Sequence, residues 1–370
     1  MDQSRLSLLA LHFIPGLGDH LIRQLVGYCG SAEKVFTTPK GKLLRIPGIG
    51  AVTAEAITKG KPFDTAEKEL TMAERESVEL IFFTDKKYPS RLRAIHDAPT
   101  LLYTKGTIDF ENKKTVGIVG TRRATTYGKQ CVEELVAGLK PHNTLVVSGL
   151  AYGIDIHAHK QALHHHLPTV AILGSGLDVI YPSVHTDVAR RMQSHGGLVS
   201  ENPFGTQPDA HNFPARNRII AGLSDVLVVV EAGETGGALI TAEIANSYHK
   251  DVLAFPGNVG QCFSQGCNNL IKANKASLIT SAKDLEYIMN WTAGAGTETS
   301  EGAALPEDLN DTECLVIKTL ADHGGTLVID ELSWKANLSV SQLASLLLNL
   351  EFRGIVQSLP GKLYRVNTKK

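Results

Sequence analysis

The chain of 370 residues is 43% apolar and 20% charged, with a formal net charge of −1. That is too apolar for a disordered chain. It also supplies no global field that would draw the protein onto nucleic acid or membrane, so any polyanion site has to be a local patch.

Leu6 to Ile14 is apolar, but Asp2 precedes it and Pro15-Gly16-Leu17-Gly18 stands where a signal peptide would carry small residues. No apolar run approaches the ~18–20 residues of a membrane span, so no membrane partner is expected. The five cysteines are scattered, and the gap between Cys262 and Cys267 suits neither a zinc knuckle nor a redox pair. Reduced thiols, a cytoplasmic location and no metal follow as expectations.

Residues 1–65 read as a helical domain with an internal echo. Ile14-Pro15-Gly16-Leu17-Gly18 and Ile46-Pro47-Gly48-Ile49-Gly50 share the form apolar-Pro-Gly-apolar-Gly and each leads into an apolar helix. This is the pattern of a helix-hairpin-helix unit, whose glycines can present backbone N–H groups to a phosphate. One such pentapeptide would suit a tight turn in a small bundle; the near-repeat favours the hairpin fold, while contact with DNA stays open.

From residue 66 to 291 short β-branched runs alternate with amphipathic helices. Strands are predicted at Leu80–Phe83, Thr115–Val119, Thr144–Val147, Thr169–Leu173, Leu198–Ser200, Val226–Val230 and Val252–Phe255. Several are apolar on both faces, as strands between two helix layers must be, which predicts an α/β, doubly wound, mostly parallel sheet. Residues 292–306 read as a small, polar, acidic linker. Residues 307–370 then follow the order of a winged helix, with helices over Asp311–His323, Val328–Ala336 and Ser339–Phe352 and a hairpin at Pro360-Gly361.

Ligands of open α/β sheets bind beyond the carboxyl ends of the strands. Here nearly every such end carries a glycine loop: Gly120-Thr121-Arg122, Ser148-Gly149 through Gly153, Gly174-Ser175-Gly176, Thr235-Gly236-Gly237 and Pro256-Gly257. Together they predict an extended phosphate-binding rim. No strand leads into G-x-G-x-x-G and no Walker loop is present, so no nucleotide cofactor is expected. Lys113, Lys114, Arg122, Arg123 and Lys129 fall in one stretch without an acidic residue, and Phe213-Pro214-Ala215-Arg216-Asn217-Arg218 adds two arginines beside an aromatic ring. Arginine pairs bidentately with phosphate and an exposed ring stacks on a base, a combination that suits single strands.

The segments GIVGTRRATTYG (117–128), VSGLAYGIDIHAH (147–159), GSGLDVIYP (174–182), SENPFG (200–205), FPARNRIIAGLSD (213–225), TGGALITAEIA (235–245) and FPGN (255–258) occur in order. With them the chain resembles the DNA-processing protein A family (DprA, also called Smf) over nearly its whole length. The resemblance implies an extended Rossmann fold, cooperative binding of single-stranded DNA, a homodimer, and delivery of incoming DNA to the RecA recombinase in natural transformation. By the same resemblance Arg122 would hold a backbone phosphate. Phe213, Arg216, Asn217 and Arg218 would form a second element, and the loop ending at Thr241 a third. Some members carry a lysine shortly before the phenylalanine, where this chain has Asp209-Ala210-His211.

Other signals carry less. His157, His159 and His164-His165-His166 lie on one predicted helix with no Cys or carboxylate cluster to complete a metal site. Glu231 with Thr235-Gly236-Gly237 is similar to the related phosphoribohydrolases of nucleoside monophosphates, the alternative reading; no catalytic residue is assigned. From Glu307 onward seven basic residues stand against eight acidic ones, and the candidate recognition helix Ser339–Phe352 has no Lys or Arg. A helix so built suits packing or protein contact better than groove reading.

Overall fold

A computed structural model of the chain describes residues 3–60, 62–291, 309–322, 326–336, 338–359 and 363–366. It divides into two units, residues 1–294 and 295–370. The expected linker lies outside the described residues, as does His323 at the end of the first winged-helix helix.

The larger unit is built on nine strands: β1 (Glu79–Phe82), β2 (Leu101–Gly106), β3 (Thr115–Val119), β4 (Leu145–Ser148), β5 (Thr169–Ile172), β6 (Gly196–Ser200), β7 (Val226–Val229), β8 (Asp251–Ala254) and β9 (Ser277–Leu278). They form one sheet in the order β1-β2-β6-β5-β4-β3-β7-β8-β9. All pairs from β6 to β9 are parallel, whereas β1–β2 and β2–β6 are antiparallel. The chain winds outward from β3 to β6, then returns to place β7 on the other side of β3. That doubly wound order opens a crevice above the carboxyl ends of the central strands.

Alternation along the central strands feeds two cores. Val116, Ile118, Val146 and Val228 pack with the helices Thr126–Leu139 and Ile154–His164. Val147, Val170, Ile172 and Val229 pack on the opposite face with Asn212–Leu223 and Gly237–Ser247. Two strands escape a reading by composition. β2 has a polar tail and owes its conformation to antiparallel neighbours on both sides, and β9 is a two-residue exposed edge.

The N-terminal residues form helices at Gln3–His12, Asp19–Cys29, Ala32–Thr37, Lys40–Leu43 and Ala51–Lys59, followed by a connecting helix at Phe63–Arg75. The two predicted hairpins are present, with Gly16 at φ +77° and Gly48 at φ +81°, conformations open to glycine.

The smaller unit contains helices Asp311–Asp322, Ile329–Ala336 and Val340–Phe352 and a sheet of β10 (Thr326–Val328), β12 (Leu363–Val366) and β11 (Val356–Leu359), in that order. The expected hairpin is the antiparallel β11–β12 pair, with its turn at 360–362 outside the described residues. Val316, Leu320, Leu332, Leu343, Leu347 and Leu350 make its core.

Candidate nucleic-acid interface

Four of the predicted residues meet at one place. Arg122, Gly149, Phe213 and Arg216 line a shallow pocket above the carboxyl ends of β3, β4 and β5, together with Ala151, Tyr152, Tyr181 and Pro182. The exposed guanidinium of Arg122 lies 5.6 Å from the centroid of the Phe213 ring. Tyr181, about half exposed, sets its own ring 5.8 Å from Phe213 at 44°. Tyr152 is equally open and packs edge-on against His185. Cation, half-buried ring and two open phenols on one surface can hold a phosphate and stack bases. Sequence reasoning alone misses the two tyrosines, although both sit inside glycine-containing motifs; only the fold turns their rings to the same pocket as Phe213.

Arg216 stands behind this surface. It is 5% exposed, and its Nη1 donates to the Gly149 carbonyl at 2.7 Å and to the Ile172 carbonyl. Its Nε donates to Asn217 Oδ1 at 3.2 Å. Burial lowers its pKa to about 10, with the Asp155 carboxylate opposing the fall. Asp155 is buried too, and desolvation raises its carboxyl while Arg216 and Arg122 pull it back. The two carbonyl bonds of Arg216 fasten the helix Asn212–Leu223 to the ends of β4 and β5, and the residue still lines the pocket.

Arg218 takes a different direction. Its Nη2 bonds Glu201 and reaches Asp19 Oδ2 at 3.3 Å, away from the pocket residues. Asn217 is buried and bridges Arg216 to the Gly237 carbonyl at 3.4 Å. Thr241, also buried, donates to that same carbonyl at 2.8 Å. Gly236 and Gly237 are exposed at the start of their helix, and Gly236 has φ +151°.

Much of the glycine rim serves packing. The space that a Cβ would take at Gly120, Gly149, Gly176 and Gly257 is filled by Ile154, Arg216, Pro203 and Ser264, and Gly174 faces Phe213 at 3.2 Å. Gly153, at φ +79°, lies against the backbone of Thr121 and Arg122 and so sets the loop that carries the exposed cation. The N–H groups of Thr121, Gly176 and Gly257 donate to Glu231 O, Thr206 O and Asn268 Oδ1. Ser148 is fully buried and donates to the Ile118 carbonyl at 2.6 Å.

The run of cations divides. Arg122, Arg123 and Lys129 are exposed beyond the carboxyl end of β3, whereas Lys113 and Lys114 precede its first residue and belong to the other end of the sheet. There the Lys114 ammonium touches His142 Nδ1 at 2.7 Å and lies over Trp291. Five cations adjacent in sequence therefore leave three at the rim.

Glu231, the carboxylate of the phosphoribohydrolase alternative, is 4% exposed and is held by the Thr125 N–H and hydroxyl at 2.9 and 2.6 Å. His159 is fully buried, its Nδ1–H donating to the Thr169 hydroxyl, and burial lowers its pKa to about 3. Among the described residues no group of three or more His, Cys, Asp or Glu is placed to hold a metal. No described helix is long and apolar enough to cross a membrane.

The family model of DNA recombination-mediator protein A matches residues 79–290. The chain belongs to that family. A second model, the DprA winged helix domain, matches residues 301–362. The putative DNA processing protein DprA of Mycobacterium tuberculosis is 34% identical over 85% of this chain and 84% of its own length. The solved structure of DNA processing protein A from Streptococcus pneumoniae superposes with a TM-score of 0.69 at 33% identity, covering 78% of this chain and 98% of that one. A structure describing the single-stranded DNA binding mode of the Helicobacter pylori protein matches with a TM-score of 0.53 at 28% identity, over 58% of this chain and 97% of that one.

Proposed function

We infer that this protein binds single-stranded DNA along the carboxyl rim of its sheet, with Arg122 on the backbone and Phe213, Tyr181 and Tyr152 against the bases. The observation that carries this is the Arg122–Phe213–Tyr181 cluster, an exposed cation beside a half-buried ring and a half-exposed phenol, above the strands that the doubly wound order leaves open. Base stacking tolerates any sequence because every base has a π-face, and it needs bases that are free of a duplex. The relative from Helicobacter pylori supports the ligand class.

On this reading Gly236 and Gly237 extend the phosphate track, while Arg216, Asn217, Thr241 and most rim glycines shape it from beneath. The protein performs no bond-breaking chemistry, works in the cytoplasm as a homodimer, and passes the strand to the RecA recombinase in natural transformation. Residues 1–65, 66–291 and 307–370 act as three domains. A gel shift with oligothymidine at fixed salt tests the site, and repeating it at several salt concentrations gives the slope. Arg122→Ala should bind far more weakly with an unchanged circular dichroism spectrum. Its salt slope should fall by about 0.7, because one phosphate is no longer neutralised. A folded variant with ordinary affinity and slope would exclude Arg122 as the phosphate ligand.

A further inference from the structure

Arg218 belongs to the same helix as Phe213 and Arg216, yet its guanidinium turns to Glu201 and to Asp19 of the N-terminal helices. Its Nη2 bonds Glu201, the residue immediately after β6, and Asp19 Oδ2 at 3.3 Å. Its Nη1 is buried without a hydrogen-bond partner. Asp19 is the first residue of the helix that leaves the first hairpin, and its other oxygen accepts from the Thr100 N–H at 2.7 Å and hydroxyl at 2.6 Å. The hairpin residues Pro15, Gly16 and Gly18 stay exposed, but the helix end where an anion would dock carries the carboxylate of Asp19, engaged on both oxygens. Arg23 of the same helix adds a bond to the Pro99 carbonyl at 3.2 Å.

A second brace reaches the same loop. Glu69, from the connecting helix, accepts the Phe204 N–H at 2.8 Å and is 9% exposed. Residues 201–211 therefore leave β6 under Glu201–Arg218, are held midway by Glu69, and enter the helix whose first turn carries Phe213. Resting on the single-strand reading above, we propose that Asp19, Arg218 and Glu201 form a latch through which the N-terminal helical unit positions the DNA-binding helix Asn212–Leu223. Coupling between two sites is reciprocal, so DNA on the rim tightens the docking of the N-terminal helices.

The test uses the full chain, a fluorescent oligothymidine, and the variants Asp19→Asn, Arg218→Gln and Arg218→Lys, with circular dichroism as control. Asp19→Asn and Arg218→Gln should bind roughly fivefold or more weakly with an unchanged salt slope, and Arg218→Lys should recover part of that loss. In hydrogen exchange, oligothymidine should protect the amides of Asp19–Cys29 in the natural chain and leave them unprotected in Asp19→Asn. A drop in salt slope on Arg218→Gln would make Arg218 a direct phosphate ligand and overturn the latch. So would folded variants of natural affinity, or a helix Asp19–Cys29 whose exchange ignores DNA. Failure of the single-strand reading looks different: the natural chain would not bind oligothymidine at all, and the latch would fall with it.

Discussion

The guanidinium of Arg122 and the ring of Phe213, distant in sequence, face each other at 5.6 Å above the ends of the central strands. Neither residue makes the surface alone. Arg122 is carried by the loop after β3, and Phe213 by the crossover helix that returns the chain from β6 to β7.

The ring and the neighbouring phenol should account for base stacking. Phe213→Ala and Tyr181→Ala should each weaken oligothymidine binding by ~1–3 kcal/mol and leave the salt slope nearly unchanged, because stacking releases no counterions. Titrations at several salt concentrations read both quantities. A variant that lost slope and kept affinity would misplace the ring.

Arg216 should behave as a structural residue. With its guanidinium bound to two backbone carbonyls and set against buried Asp155, Arg216→Met leaves a buried carboxyl and two acceptors without their partner. Urea denaturation should show a loss of about 3–5 kcal/mol. A variant as stable as the natural chain, with weakened DNA binding, would instead assign Arg216 to phosphate.

Much of this is legible in the sequence. β-branched runs apolar on both faces announce the parallel sheet, and the glycine loops mark its carboxyl rim. The direction of individual side chains is not. Arg216 and Arg218 are two positions apart on one helix, so they diverge by more than half a turn, one toward β4 and β5 and the other toward Asp19. Lys113 and Lys114 are near Arg122 in sequence, but a strand separates them from it. Tyr152 and Tyr181 are hidden for the opposite reason, since only the folded crevice brings them to Phe213.

Glu201 gives the latch a pH signature. Burial raises its carboxyl from 4.5 to about 7, against the pull of Arg218. The folded chain then holds that proton more tightly than the unfolded chain, so its stabilising effect is full below about 4.5 and is lost as pH rises through 7. Glu201→Gln removes the titration. The variant should gain on the natural chain by up to about 3 kcal/mol between pH 4.5 and 7.5. Denaturant midpoints at the two pH values check this, and an equal difference at both would contradict it.

Removal of residues 292–370 should leave single-strand affinity and its salt dependence largely intact. The helix Val340–Phe352 offers Ser, Gln and Asn but no cation, so it supplies no counterion release. The truncation keeps Trp291, which packs near His142 in the larger unit. A loss beyond about tenfold, ~1.4 kcal/mol, would place DNA on the winged helix.

Photo-crosslinking maps the strand directly. With 4-thiothymidine oligonucleotides and the full chain, crosslinked peptides should contain Phe213, Tyr181 or Tyr152, and should disappear in Arg122→Ala. Crosslinks confined to the second hairpin around Gly48, or to the helix Val340–Phe352, would contradict a single-strand site on the carboxyl rim of the sheet.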